Sequence, residues 1–191
     1  MKQLACCAAL VVWCSLSCSD PVAPPAQGAF SASVTAASPQ PAGKMCPSGA
    51  AQSFEAPTVT EPKDKLSTST YAEKLIDGEN GAEMSCTVKG KDTFSFDARI
   101  DYRNRTLELT GGVVNPNLEG TARVVVFDQT KLSTPLTSGA GECTIRVVTN
   151  SNGPQIRAGS MWASFDCPGV QAAPSDYCRA NGVFVLENCN Q

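Results

Sequence analysis

Ten cysteines and no histidine limit the chemistry open to this chain of 191 residues. Without an imidazole there is no Ser-His-Asp or Cys-His nucleophile, no histidine-held zinc and no pH switch near neutrality. Cys6, Cys7, Cys14 and Cys18 crowd the N-terminus, whereas Cys46, Cys86, Cys143, Cys167, Cys178 and Cys189 are spread along the rest. No two of these six have two or four residues between them, the C-x2-C or C-x4-C spacing of paired metal ligands. An even set at wide spacing predicts three disulfides in an oxidising compartment. Fifteen connectivities are open, and a local Cys167–Cys178 bridge would close the Pro- and Gly-containing loop between those residues.

Carboxylates are the remaining catalytic device. Asp97 and Asp101 lie four apart in a stretch of alternating polarity, which separates them by about 13 Å at 3.3 Å per residue. That is wider than an acid/base pair across a glycosidic bond requires, so both read as the wet face of a strand. Residues 77–83 hold Asp77, Glu79, Asn80 and Glu83 among glycines, the densest set of oxygen ligands. Their spacing departs from the calcium-loop pattern, and Asp-Gly and Asn-Gly are ordinary turn vocabulary. No motif calls for a metal or an organic cofactor, and no catalytic residue is assigned. A net charge of −3 with scattered Lys and Arg gives no footprint for nucleic acid.

Trp162 is the one side chain suited to a ligand platform. It shares a strand face with Ser160, Ser164 and Asp166, and an outward indole there could stack on a sugar ring. Burial beneath a loop is the favoured alternative, because Ile156 and Ala158 fall on the same face.

The elements that would carry these residues are strands. Phe94, Phe96, Ala98 and Ile100 alternate with polar residues, as do Leu107 with Leu109, Cys143 with Ile145 and Val147, and Met161 with Ala163, Phe165 and Cys167. Residues 84–88, 122–127 and 182–186 are further candidates, and Gly-, Asn- and Pro-rich turns separate them. Seven such strands predict an all-β, antiparallel β-sandwich of jelly-roll type, stapled by disulfides. Residues 70–76 could form one or two helical turns.

The N-terminus reads as an address. Lys2 precedes a thirteen-residue apolar run over residues 4–16, the length of a signal-peptide core and short of a membrane span. The run closes in Ser15, Leu16, Ser17 and Cys18. This ending resembles the lipobox of bacterial lipoproteins, in which a peptidase cuts before a diacylglyceryl-modified cysteine. Ser17 and Cys18 match its last two positions, and Leu16 stands one place later than the family's leucine. The resemblance implies a signal peptide over residues 1–17, lipidation (palmitate among the acyl groups) at Cys18 and attachment to the cell envelope at the outer membrane or cell surface, with simple secretion or periplasmic release as the alternative.

Residues 18–43, rich in Ala, Pro and Ser, read as a flexible, disordered linker reaching about 25–30 Å, and residues 44–191 as the folded head. In its cysteine spacing, its stretch Ser160, Met161, Trp162 and Ala163, and its ending from Gly182 to Glu187, the head is similar to uncharacterised β-rich lipoproteins of myxobacteria. The resulting expectation is a non-enzymatic binding or structural module held to a membrane, with a protein or glycan partner. A Trp162-based carbohydrate-binding module and a carboxylate hydrolase are the alternatives.

Overall fold

The structure, a computed structural model, describes residues 22–46, 52–56, 74–139 and 141–191. The expected signal peptide, Leu16 and Cys18 lie outside the described residues. Those described form fourteen strands and no helix: β1 (Gln27–Ala36), β2 (Gln52–Ala56), β3 (Leu75–Ile76), β4 (Ala82–Gly90), β5 (Phe94–Tyr102), β6 (Arg105–Val114), β7 (Glu119–Asp128), β8 (Leu136–Thr137), β9 (Cys143–Val147), β10 (Thr149–Asn150), β11 (Gly153–Pro154), β12 (Ile156–Arg157), β13 (Ser160–Val170) and β14 (Cys178–Glu187). All seven strands legible from alternation are present. Of the helical turn expected over residues 70–76, Leu75 and Ile76 instead form β3, and residues 70–73 lie outside the described set.

The strands join into one antiparallel sheet in the order β2-β1-β14-β13-β9-β7-β6-β5-β4, while β10 and β11 make a separate hairpin. The sandwich therefore takes the form of a single sheet curled over one core. Period-two burial explains the curl: Met84, Cys86 and Val88 on β4, and Phe94, Phe96, Ala98 and Ile100 on β5, are all buried while their neighbours face water. From the opposite half, Phe184 of β14 stacks against Phe96 with ring centroids 6.2 Å apart. A side chain at Gly28 of β1 would meet the Met84 side chain at 2.6 Å, so the first strand packs directly on the far half.

That strand corrects the expected organisation. Ten of the residues assigned to a tether, Gln27–Ala36, are a strand inside the sheet, paired with β14 from Gln27↔Glu187 to Ala36↔Cys178 and with β2 on its other side. Its Ala29 and Phe30 are fully buried. The folded head thus begins near residue 26, not at 44.

Both edges of the sheet are covered. Along β4, residues 188–191 lie beside the strand: Val88 donates its N–H to Asn190 and Asn190 donates to Cys86, each at 3.0 Å. Gly159 adds a bond to the Val88 carbonyl, and the Asp77 carboxylate accepts the Met84 N–H at 2.7 Å. Along β2, side chains do the same work. Arg105 Nη1 donates to the Glu55 carbonyl and Lys131 Nζ to that of Ser53, both at 2.5 Å.

Candidate functional site

The six downstream cysteines form three disulfides: Cys46–Cys178, Cys86–Cys189 and Cys143–Cys167. The local Cys167–Cys178 pairing is overturned, and strand register explains why. Cys167 stands opposite Ala180, and a bulge in β13 sets Val170, not Cys167, across from Cys178. Cys167 instead reaches across to Cys143 on its other neighbour, β9, one step along a register that pairs Asp166 with Thr144.

Trp162 is 7 % exposed, so its indole offers no open face to a sugar ring. The buried alternative holds. Its strand position pairs it with Val185, itself opposite Ala29, and all three are buried on the face away from the main core. Its backbone is fixed on the other side by bonds with Val148 and Gln155, which close the excursion carrying the β10–β11 hairpin.

The expected carboxylate groupings resolve into structural roles. Asp77 caps the hairpin into β4, and Asn80, Gly81 and Gly78 adopt the positive φ angles that its tight turn requires. Asp97 accepts the Gly111 N–H at 2.8 Å, where β6 bulges against both neighbours. Asp101 accepts bonds from Arg99 Nε at 2.5 Å and Thr106 Oγ1 at 2.6 Å. Among the described residues no three His, Cys, Asp or Glu side chains gather as metal ligands would.

Two further arrangements of polar side chains bear on the site. The first is the outer face of β4, β5 and β6. Register aligns Ser85, Arg99 and Glu108 in one row and Glu83, Asp101 and Thr106 in the next. Arg99 links the rows, donating to Asp101 and, at 2.9 Å, to Glu108. The hydrogen bond that Arg99 donates to Asp101 raises the guanidinium pKa above its ordinary value, against a smaller opposing effect of burial. Ser85, Arg99 and Glu108 of the first row, with Thr87, Asp97 and Thr110, line a shallow hollow of about 300 Å³. It is a fixed surface of donors and acceptors, suited to holding a polar ligand by hydrogen bonds.

The second is Arg105 with Asp128, which sequence reading missed. Their cross-strand pairing, 3.2 Å from Nε to Oδ2, joins β6 to β7, and the same guanidinium reaches β2. The Asp128 side chain is wholly buried. Burial pushes its carboxyl upward, but bonds from the Thr130 hydroxyl and N–H and from Arg105 outweigh that and hold its pKa below the ordinary carboxylate value. The available signal was the polar Asp128 ending a buried alternation, followed two residues later by Thr130. This pair stabilises an edge.

No family model, no curated protein and no solved structure matches the chain. Fold and geometry define its class as an antiparallel, all-β, disulfide-stapled domain.

Proposed function

We propose that this chain is an envelope lipoprotein, held to a membrane by a lipid on Cys18, whose β head is a non-enzymatic binding or structural module. The observation that carries it is the pairing of a lipobox-like N-terminus with a head in which all six downstream cysteines are joined. Three disulfides suit an oxidising compartment outside the cytoplasm. A diacylated cysteine with an N-acyl chain anchors firmly, since each buried methylene contributes about 0.8 kcal/mol.

The position of β1 revises the anchor's geometry. With strand structure beginning at Gln27, only residues 19–26 separate Cys18 from the sheet. That stretch spans about 30 Å at full extension and about 15–18 Å if flexible. The head of such a lipoprotein rides close to the bilayer rather than on a long stalk. The non-enzymatic part of the proposal rests on the commitment of Asp97, Asp101, Glu108 and Asp128 to caps and ion pairs. The hollow over β4, β5 and β6 is the surface it would offer a polar partner.

Mass spectrometry of the mature N-terminus tests the anchor. A terminus at Cys18 carrying acyl groups, and loss of membrane association in Cys18→Ser, are expected. An unmodified terminus downstream of Cys18 would replace the proposal with simple secretion. Turnover of an envelope substrate by the purified head would remove its non-enzymatic part.

A further inference from the structure

The three bridges differ in what they hold. Cys143–Cys167 joins neighbouring interior strands, and both residues are fully buried. Cys46–Cys178 holds the segment around Met45, which pairs with Ser175 and Tyr177 outside the sheet. Cys86–Cys189 alone fastens a segment onto a sheet edge. Residues 188–191 bury a single side chain, that of Cys189, while Asn188, Asn190 and Gln191 are exposed. Backbone bonds at Asn190 and from Cys189 to Gly159, with the Asn188 side chain on the Pro25 carbonyl, complete their attachment.

This bridge lies just beneath the surface: Cys86 and Cys189 are each 6 % exposed, against 0 % for Cys143 and Cys167, and surface hollows surround it. Cys86 borders the 300 Å³ hollow described above, and both cysteines border another of about 510 Å³ beside Asp77 and Asn188. A third of about 410 Å³, next to Gly159 and Ser160, is lined by Cys189. We infer that Cys86–Cys189 is a thiol-addressed latch: exchange with a dithiol reductant releases residues 188–191 and uncovers the edge of β4 at Cys86 and Val88, with the rest of the sheet intact. The inference rests on strand and bridge geometry and holds whether or not Cys18 is lipidated.

The exchange balances. One thiolate of the dithiol attacks the Cys189 sulfur and expels the Cys86 thiolate, leaving a mixed disulfide. The second thiolate of the dithiol attacks its own sulfur in that mixed disulfide and expels the Cys189 thiolate. The two protons of the dithiol end on the two cysteines, and the dithiol departs as its cyclic disulfide, oxidised by two electrons. What is uncovered is the Cys86 carbonyl and the Val88 N–H, groups to which an extended backbone can pair.

The test is a dithiothreitol titration of the full oxidised chain, with alkylation, peptide mass spectrometry and hydrogen exchange. Cys86 and Cys189 are expected to alkylate at a reductant concentration at least about tenfold below that needed for Cys143 and Cys167. Exchange at the Val88 amide should accelerate at least about tenfold while that at Ile145 is unchanged. Simultaneous alkylation of these four cysteines overturns the latch. The double variant Cys86→Ser with Cys189→Ser provides a second readout. It should fold and show the fast Val88 exchange without reductant, whereas wild-type protection at Val88, or failure to fold, would also overturn the inference.

Discussion

The two edges of the sheet are closed by different means. At β4 the cover is backbone from residues 188–191, fastened by a covalent bond. At β2 it is two cationic side chains, one exposed and one tied to a buried carboxylate. An uncovered edge is a template for pairing with other chains, so each device suppresses aggregation. The difference lies in what can undo them: thiol chemistry at β4, protonation and charge removal at β2.

The largest effect is expected at β2. Arg105→Ala leaves the Asp128 carboxylate buried without its counter-charge, held by Thr130 alone, and takes the Arg105 bond from the Glu55 carbonyl; a loss of about 3–5 kcal/mol should appear in urea unfolding. A loss below about 1 kcal/mol would mean that Asp128 finds water, and would weaken the contrast between the edges. Acid sharpens the same point. The folded pKa of Asp128 lies below its unfolded value, so its contribution is fully present above about pH 4–5 and fades as pH falls through the folded pKa. Asp128→Asn, followed by urea unfolding from pH 7 to pH 3, should flatten that decline.

Asn190→Pro removes the donor to the Cys86 carbonyl while leaving the bridge in place. A loss of about 1 kcal/mol in urea unfolding, typical of one hydrogen bond, is expected. A larger loss would make the backbone pairing, not the disulfide, the main closure of β4. Lys131→Ala should change stability least, by less than about 1 kcal/mol, because an exposed cation gains little from one bond. Its effect should instead appear as greater self-association in light scattering.

How legible these features were in the sequence follows from burial. Strands with one wet face announced themselves: β5 reads Phe94, Phe96, Ala98 and Ile100 against Ser95, Asp97, Arg99 and Asp101, and its bounds fall within a residue of the expectation. β1 was hidden because both of its faces are covered. Phe30, Ala32 and Val34 point into the core, while Ala29 and Ser31 are buried on the other side, leaving no polar alternation. Its glycine follows from close approach: a side chain at Gly28 would meet the Val185 carbonyl at 2.7 Å. A crowded interior strand and a flexible linker share the same Ala-, Ser- and Gly-rich composition, and only packing distinguishes them. The disulfides were legible in number but not in pairing, since connectivity depends on a register that the β13 bulge alters. The candidate polar face was legible as a wet strand face. The Arg105–Asp128 pair was not, because it depends on which strands lie side by side.

The antiparallel pairing of β1 with β14 has a kinetic consequence. Gln27 meets Glu187 and Ala36 meets Cys178, so the second and third positions from one end of the sheet are the earliest and latest strands described. Loops of this span close late and slowly. A chain emerging N-terminus first can assemble β4 to β7 from neighbouring hairpins and can bring β2 to β1, yet β1 must wait much longer for β14. Until then Phe30 and Val34 have no β14 to pack beside, and this interval is when the protein is most exposed to mispairing and most dependent on being kept apart from its own copies.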